Sequence, residues 1–206
     1  MRKRQIISIV IAALSLVVFL GGQASNDEVR RLGQVMGWKA GQTIGDVGAG
    51  RGEIGIAAAS VVGKTGRVYL TELDEEKRKA LESEVKNRGL ANIVVLQAAE
   101  KQTNLPKECC EGIVLRRVYH HLTAPVEMDA SLLRSLKPGG ELAIIDFAPR
   151  KWLSESDPVK GVPANRGGHG IPKNILIEEL TTAGFKVVKV FEDWPDGYCV
   201  VFRKPD

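Results

Sequence analysis

A chain of 206 residues, 44% apolar and 26% charged, has material for one packed α/β-sized domain and lacks the bias of a disordered or fibrous polymer. Its formal net charge of +4 overstates its basicity, because Arg2, Lys3 and Arg4 supply three of those charges; the near-balance of the remainder excludes a basic nucleic-acid surface. Three cysteines, two of them adjacent at Cys109 and Cys110, exclude a disulfide framework, and the adjacent pair reads as a loop leading into a strand.

The N-terminus has three parts: the basic residues 2–4, an uncharged run from Ile6 to Leu20, and small residues ending in Ala24. This pattern predicts a secretory signal over residues 1–24 or, if it is not cleaved, an N-terminal membrane anchor. As an anchor it is near the lower length limit for a span, and its basic end would hold to the cytoplasmic side. The domain, residues 25–206, is therefore expected to be exported (periplasmic or extracellular) or membrane-anchored on the far side. The N-terminal segment is expected to contact membrane or export machinery.

Asn26 is placed to cap a short helix carrying Val29, Leu32, Val35 and Met36 on one face. A strand over 43–47 breaks into glycines and resumes as an apolar helix over 54–62. A second strand covers 67–72 and a charged helix 74–88, with Ala80, Leu81 and Val85 inward. Strands follow over 92–97 and 112–118, then a helix from about 125 to 136 that Lys137-Pro138-Gly139-Gly140 stops. A fifth strand spans 141–147. After an irregular stretch, 148–170, a last helix runs from near Pro172 to Gly184. Two strands, 185–191 and 198–203, flank a Pro-Asp-Gly turn. Strands alternating with helices predict a Rossmann-like, doubly wound sheet of about seven strands with helices on both faces. The sheet is expected to be mostly parallel with an antiparallel last strand.

The stretch Asp46-Val47-Gly48-Ala49-Gly50-Arg51-Gly52-Glu53-Ile54-Gly55 joins the first strand to its helix. A glycine turn at the carboxyl end of the first strand, opening a helix N-terminus, is where open α/β sheets bind nucleotide-like ligands. Gly50 to Gly55 satisfies the G-x-G-x-x-G dinucleotide spacing. The same residues also read as Asp46-x-Gly48-x-Gly50-x-Gly52, with a carboxylate inside the strand end. That acid would repel a pyrophosphate but suits a ligand carrying an ammonium and a sulfonium.

In this second form the stretch resembles motif I of the class I S-adenosylmethionine (SAM) dependent methyltransferases. The resemblance extends over about residues 27–206, through the strand-final acid Glu72, the Tyr119-His120-His121 turn and the Leu136-Lys137-Pro138-Gly139-Gly140 lead into the fifth strand. It is to the small-molecule branch with a Tyr-His-His turn. It implies SAM as cofactor, with Asp46, Gly48, Ala49, Gly50 and Gly52 around it, Glu72 on the ribose hydroxyls and Leu73 against the adenine. Arg117 is a further candidate for its carboxylate. Members commonly carry an acid at the position of Ala99, bonding the adenine amino group; here either Glu100 takes over or that bond is absent.

The resemblance implies methyl transfer to a small-molecule acceptor. Tyr119, His120, His121 and His169 are the candidate catalytic groups, since a histidine titrates near operating pH. No His/Cys spacing of the zinc type and no P-loop is present, so no metal is expected. A catalytically silent SAM-binding scaffold is the alternative, and an NAD(P)-dependent oxidoreductase is a third reading that rests on Gly50 to Gly55 alone.

Overall fold

The computed structural model describes residues 24–206, so the expected N-terminal signal or anchor lies almost wholly outside the described residues. Among the described residues, no helix is long and apolar enough to cross a membrane.

Strands Thr43–Val47 (β1), Arg67–Glu72 (β2), Ile93–Gln97 (β3), Cys110–Arg116 (β4), Leu136–Asp146 (β5), Lys186–Trp194 (β6) and Gly197–Arg203 (β7) form one sheet in the order β3-β2-β1-β4-β5-β7-β6. The first five run parallel, and β7 lies antiparallel between β5 and β6. Helices Asn26–Val35 (α1), Glu53–Val62 (α2), Glu75–Asn87 (α3), Pro125–Ser135 (α4), Lys151–Ser156 (α5) and Lys173–Thr182 (α6) connect and cover the strands.

Central strands covered on both faces are apolar along their whole length rather than alternating, and β4 and β5 show it. Ile113, Leu115, Leu142 and Ile144 turn to one face and pack with Met128 and Leu132 of α4 and Leu176 and Leu180 of α6. Val114, Ala143 and Ile145 turn to the other face, against Val29 and Leu32 of α1. Beside them α2 closes over β1 and β2 through Ala58, Val62, Val68 and Leu70. Because β1 lies between β2 and β4, the chain leaves it in opposite directions on its two sides, and a crevice opens at the carboxyl ends of these strands.

Four expectations about elements are corrected. Ser25, not Asn26, caps α1, its Oγ accepting from Glu28 N at 3.1 Å. β4 begins and ends two residues earlier than expected, because Arg117 takes a positive φ of 56° that ends the strand, while Cys110 still pairs with Leu136. That pairing draws residues 136–140, expected as a turn, into the start of β5. The stretch 148–170 holds the short helix α5 and a one-turn 3₁₀ helix, Ala164–Arg166. Neither carries a side-chain cap that would have marked it in the sequence.

Candidate functional site

The crevice has two edges. At the first, β1 ends in the glycine turn. Gly48 N and Ala49 N both donate to Thr71 O at 2.9 Å, which fastens the turn to β2. Gly50 sits at φ 55°, a left-handed conformation that costs an L side chain roughly 1–2 kcal/mol. A Cβ added there would meet nothing within 4 Å, so this part of the turn faces open space. A Cβ on Gly48 would instead press to 2.6 Å from Val118, which shows how closely the glycine turn abuts the segment after β4.

Two acids frame the turn. Asp46 Oδ2 accepts from Gly55 N at 2.9 Å and ties α2 to the end of β1. Burial pushes its carboxyl up to about 7, against the lowering effect of that bond. Glu72 accepts from three backbone donors, Gly50 N and Leu73 N at 2.9 Å and Asp74 N at 3.1 Å. A carboxylate has about four lone-pair sites, so this one is oriented and keeps acceptor capacity for a ligand hydroxyl. Beside it Leu73 is 53% exposed, which leaves an apolar surface open next to the carboxylate.

The end of β3 contributes less than expected. Ala99 pairs with Gln102 through two backbone bonds, and Glu100 stands exposed in that turn. Gln97, which the sequence reading passed over, braces the first edge: its Nε2 donates to Leu73 O at 2.7 Å and Glu72 O at 3.2 Å. A polar residue closing an otherwise apolar strand was its signal. Arg117, the candidate for the SAM carboxylate, donates through Nη2 to Asp196 Oδ2 at 3.0 Å in the β6–β7 turn. Arg116 forms a bidentate pair with Glu28, both bonds 2.9 Å, and Trp194 Nε1 donates to the same carboxylate at 3.0 Å. This pair pins α1 to the sheet.

At the second edge β4 runs into a one-turn 3₁₀ helix, Tyr119–His121, where adjacent side chains part company. Tyr119 is corrected as a catalytic candidate. It is fully buried toward α4 and α6, and its hydroxyl donates to Asp129 Oδ2 at 2.8 Å and Glu179 Oε2 at 3.0 Å. Burial and these two acids push the phenol well above its ordinary range. The buried Arg166 completes the network, donating to Tyr119 O at 2.6 Å and Glu179 Oε2 at 2.5 Å. A cavity of about 570 Å³ between α4 and α6 shares Asp129 and Glu179 with it and lies on this side of the sheet.

His120 turns the other way. Its Nδ1 is 2.7 Å from Asp146 Oδ1 at the end of β5, while Asp146 Oδ2 accepts from His120 N at 3.1 Å and Oδ1 from Phe147 N at 2.9 Å. His121 lies against it, with ring centroids 4.0 Å apart, and His169 closes the group at 5.1 Å from His120 and 5.8 Å from His121. The loss of hydration around His121, together with its two imidazole neighbours, holds its pKa down to about 4. His169 is fixed by α5: its backbone N donates to Ser154 Oγ at 3.1 Å, and its Nδ1 is 2.9 Å from Asp157 O. Asp146 was missed as a site residue because it read as the end of a strand.

The structure thus brings three of the four expected catalytic groups together and leaves the fourth in the core. Comparison with known proteins gives the same fold and family. The methyltransferase-domain family matches residues 39–183. The ubiquinone/menaquinone biosynthesis C-methyltransferase UbiE of Pseudomonas putida is 29% identical over 116 residues, 56% of this chain and 45% of that protein. The chain therefore spans about half the length of the curated relatives it matches. A SAM dependent methyltransferase from Aquifex aeolicus superposes with a TM-score of 0.68 at 26% identity, over 85% of this chain and 87% of the other. Phosphoethanolamine N-methyltransferase 2 of Haemonchus contortus, solved with SAM, shares the fold at a TM-score of 0.70 and 17% identity, over 88% of this chain and 53% of that one. A dinucleotide fold would continue its parallel sheet as 3-2-1-4-5-6, whereas here the antiparallel β7 intervenes before β6. The chain belongs to the methyltransferase-domain family, on the class I fold of SAM-dependent methyltransferases.

Proposed function

We propose that the domain binds SAM at the glycine-turn edge and transfers its methyl group to a small-molecule acceptor seated at the histidine edge. The observation that carries this reading is Glu72: a carboxylate already oriented by three backbone donors, beside an exposed leucine and an open glycine turn. Such a cradle suits a diol and a flat ring. SAM supplies a methyl group made electrophilic by its sulfonium. What the chain has to add is alignment of the acceptor and a path for its proton. Of the candidate groups, His121 and His169 lie nearest to solvent, while Asp146 holds His120 in place. Loss of hydration and its two imidazole neighbours keep the His121 ring uncharged near pH 7.

Calorimetric titration of the protein with S-adenosylhomocysteine, with NADH as control, tests the reading. Binding of the first alone is expected; binding of NADH in preference to it would overturn the proposal. Ala99, with no carboxylate for an adenine amino group, favours a second reading, a SAM-binding scaffold without turnover. That reading predicts ordinary S-adenosylhomocysteine affinity with no methyl transfer across a panel of small acceptors. Export or membrane anchoring by residues 1–24 is part of the proposal. Cell fractionation with the segment present and removed tests it, a purely cytosolic protein in both cases being the contrary result.

A further inference from the structure

The three histidines are joined by an arrangement that a proton relay does not require. One ring nitrogen from each of His120, His121 and His169 lies within 4.8 Å of the others. Their second nitrogens are spoken for in two cases. Both oxygens of Asp146 accept backbone donors, from His120 and Phe147, so the carboxyl stands as an acceptor to which the His120 ring donates through Nδ1. The carbonyl of Asp157 only accepts, so His169 Nδ1 is the donor there. Both rings are thereby set in the tautomer that carries its lone pair on Nε2. His120 is 1% exposed, and its Nε2 is buried with no hydrogen-bond partner. A buried acceptor without a partner costs about 1–3 kcal/mol unless something fills the place.

We propose that His120, His121 and His169 bind one divalent transition-metal ion of borderline softness, Zn²⁺ or one of similar size, with Asp146 as the positioning residue for His120. Three imidazoles suit this group of ions rather than Mg²⁺ or Ca²⁺, which take oxygen ligands. A carboxylate on the far nitrogen of a ligating histidine is the usual outer partner of such sites. With Zn–N bonds of about 2.0–2.1 Å, nitrogens on one tetrahedral ion stand roughly 3.4 Å apart. The present spacing of up to 4.8 Å has to contract onto a His120 held by Asp146 for one ion to bridge the three rings.

The site escaped the sequence reading because its third member lies far downstream of the adjacent pair, at no recognisable spacing. Three protein ligands leave a coordination position open. Resting on the methyltransferase reading, the role of the ion follows from where it sits. A hydroxyl or thiol acceptor bound at the open position gives up its proton to solvent. Its oxygen or sulfur then forms the bond to the methyl carbon as the carbon–sulfonium bond breaks, and that electron pair leaves with S-adenosylhomocysteine.

The test uses the chelator-treated full domain, titrated with Zn²⁺ by calorimetry and with Co²⁺ as a visible-spectrum reporter. Mg²⁺ is the negative control. The expected result is one Zn²⁺ per chain, weakened more than about 100-fold in His169→Ala and in His121→Ala, neither of which opens the core. Asp146→Asn should weaken it by about 10–100-fold. Azide or a small thiol should change the Co²⁺ spectrum. No stoichiometric Zn²⁺ uptake by the wild type, or uptake unchanged in the two histidine variants, overturns the site; an inert Co²⁺ spectrum overturns the open position. S-adenosylhomocysteine titrations on the same samples separate the two readings. Retained nucleoside binding without Zn²⁺ sinks only this inference, whereas Zn²⁺ binding without nucleoside binding sinks only the proposed function.

Discussion

The two edges of the crevice are built on different principles. At the glycine edge the partners are backbone groups and two acids, all from the continuous stretch 46–74, and each backbone donor is already bonded: Gly48 and Ala49 to Thr71, Gly50 to Glu72 and Gly55 to Asp46. At the histidine edge the partners are side chains from three separated segments, and one buried nitrogen, His120 Nε2, is left without a partner. A recognition surface gains from being finished before its ligand arrives, since ordering it later costs free energy. A reactive centre gains from an unfilled valence. Under the proposed function, holding falls to one edge and chemistry to the other.

The strongest way to break that contrast is Gly50→Arg. The added side chain has room, so the fold should persist by near-UV circular dichroism, while S-adenosylhomocysteine binding falls by more than about 100-fold. Unchanged affinity would mean that the glycine edge is not the cofactor edge.

Next comes pH. Asp46 titrates at about 7 in the folded chain and at about 3.9 when unfolded. The folded state therefore holds a proton that the unfolded state has released, and this contribution to stability is present below pH 4 and lost as pH rises through 7. Asp46→Asn does not titrate and still offers an oxygen to Gly55. Its melting temperature relative to wild type should rise between pH 5 and pH 8, by the equivalent of about 2–4 kcal/mol. Asp129, also pushed up to about 7 by burial, adds a slope of the same sign to both proteins and cancels in the difference.

Glu72→Ala removes the acceptor of three backbone donors and should weaken S-adenosylhomocysteine by about 10–100-fold, with a lower melting temperature. The smallest effect sharpens the split between neighbours in the Tyr-His-His turn. Tyr119→Phe should cost about 1–2 kcal/mol of stability by leaving Asp129 without its donor, while Glu179 keeps Arg166, with S-adenosylhomocysteine affinity unchanged within error.

Legibility followed the same division. The β1 turn, the strand-final Glu72 and the mostly parallel sheet with its antiparallel last strand could be read from the sequence, because a glycine turn after a buried strand and the alternation of strands with helices are local signals with local causes. The direction taken by Tyr119 could not be read: it depends on Asp129, Glu179 and Arg166, which reach it from α4, α6 and the loop between. The end of β4 was misplaced because the positive φ of Arg117, a non-glycine residue, leaves no mark in the sequence. Asp146 looked like a strand residue because it is one, and only the pairing of β4 with β5 puts it beside His120.

Arg166 has a consequence for which substitutions this chain can accept. Its guanidinium is wholly buried and bonded to the backbone of Tyr119 and to Glu179, so it joins the segment bearing His169 to the segment bearing His120. Loss of Glu179 alone strands a buried cation, and loss of Arg166 alone leaves two acids facing a phenol with no counter-charge; removal of a single partner from such a group is far costlier than exchange of the whole set for apolar residues. Positions 119, 129, 166 and 179 are thereby bound to drift together or not at all. Relatives that change one of the four should change the others, and the histidine cluster inherits that epistasis through the Tyr119–His120 linkage and the 166–169 segment.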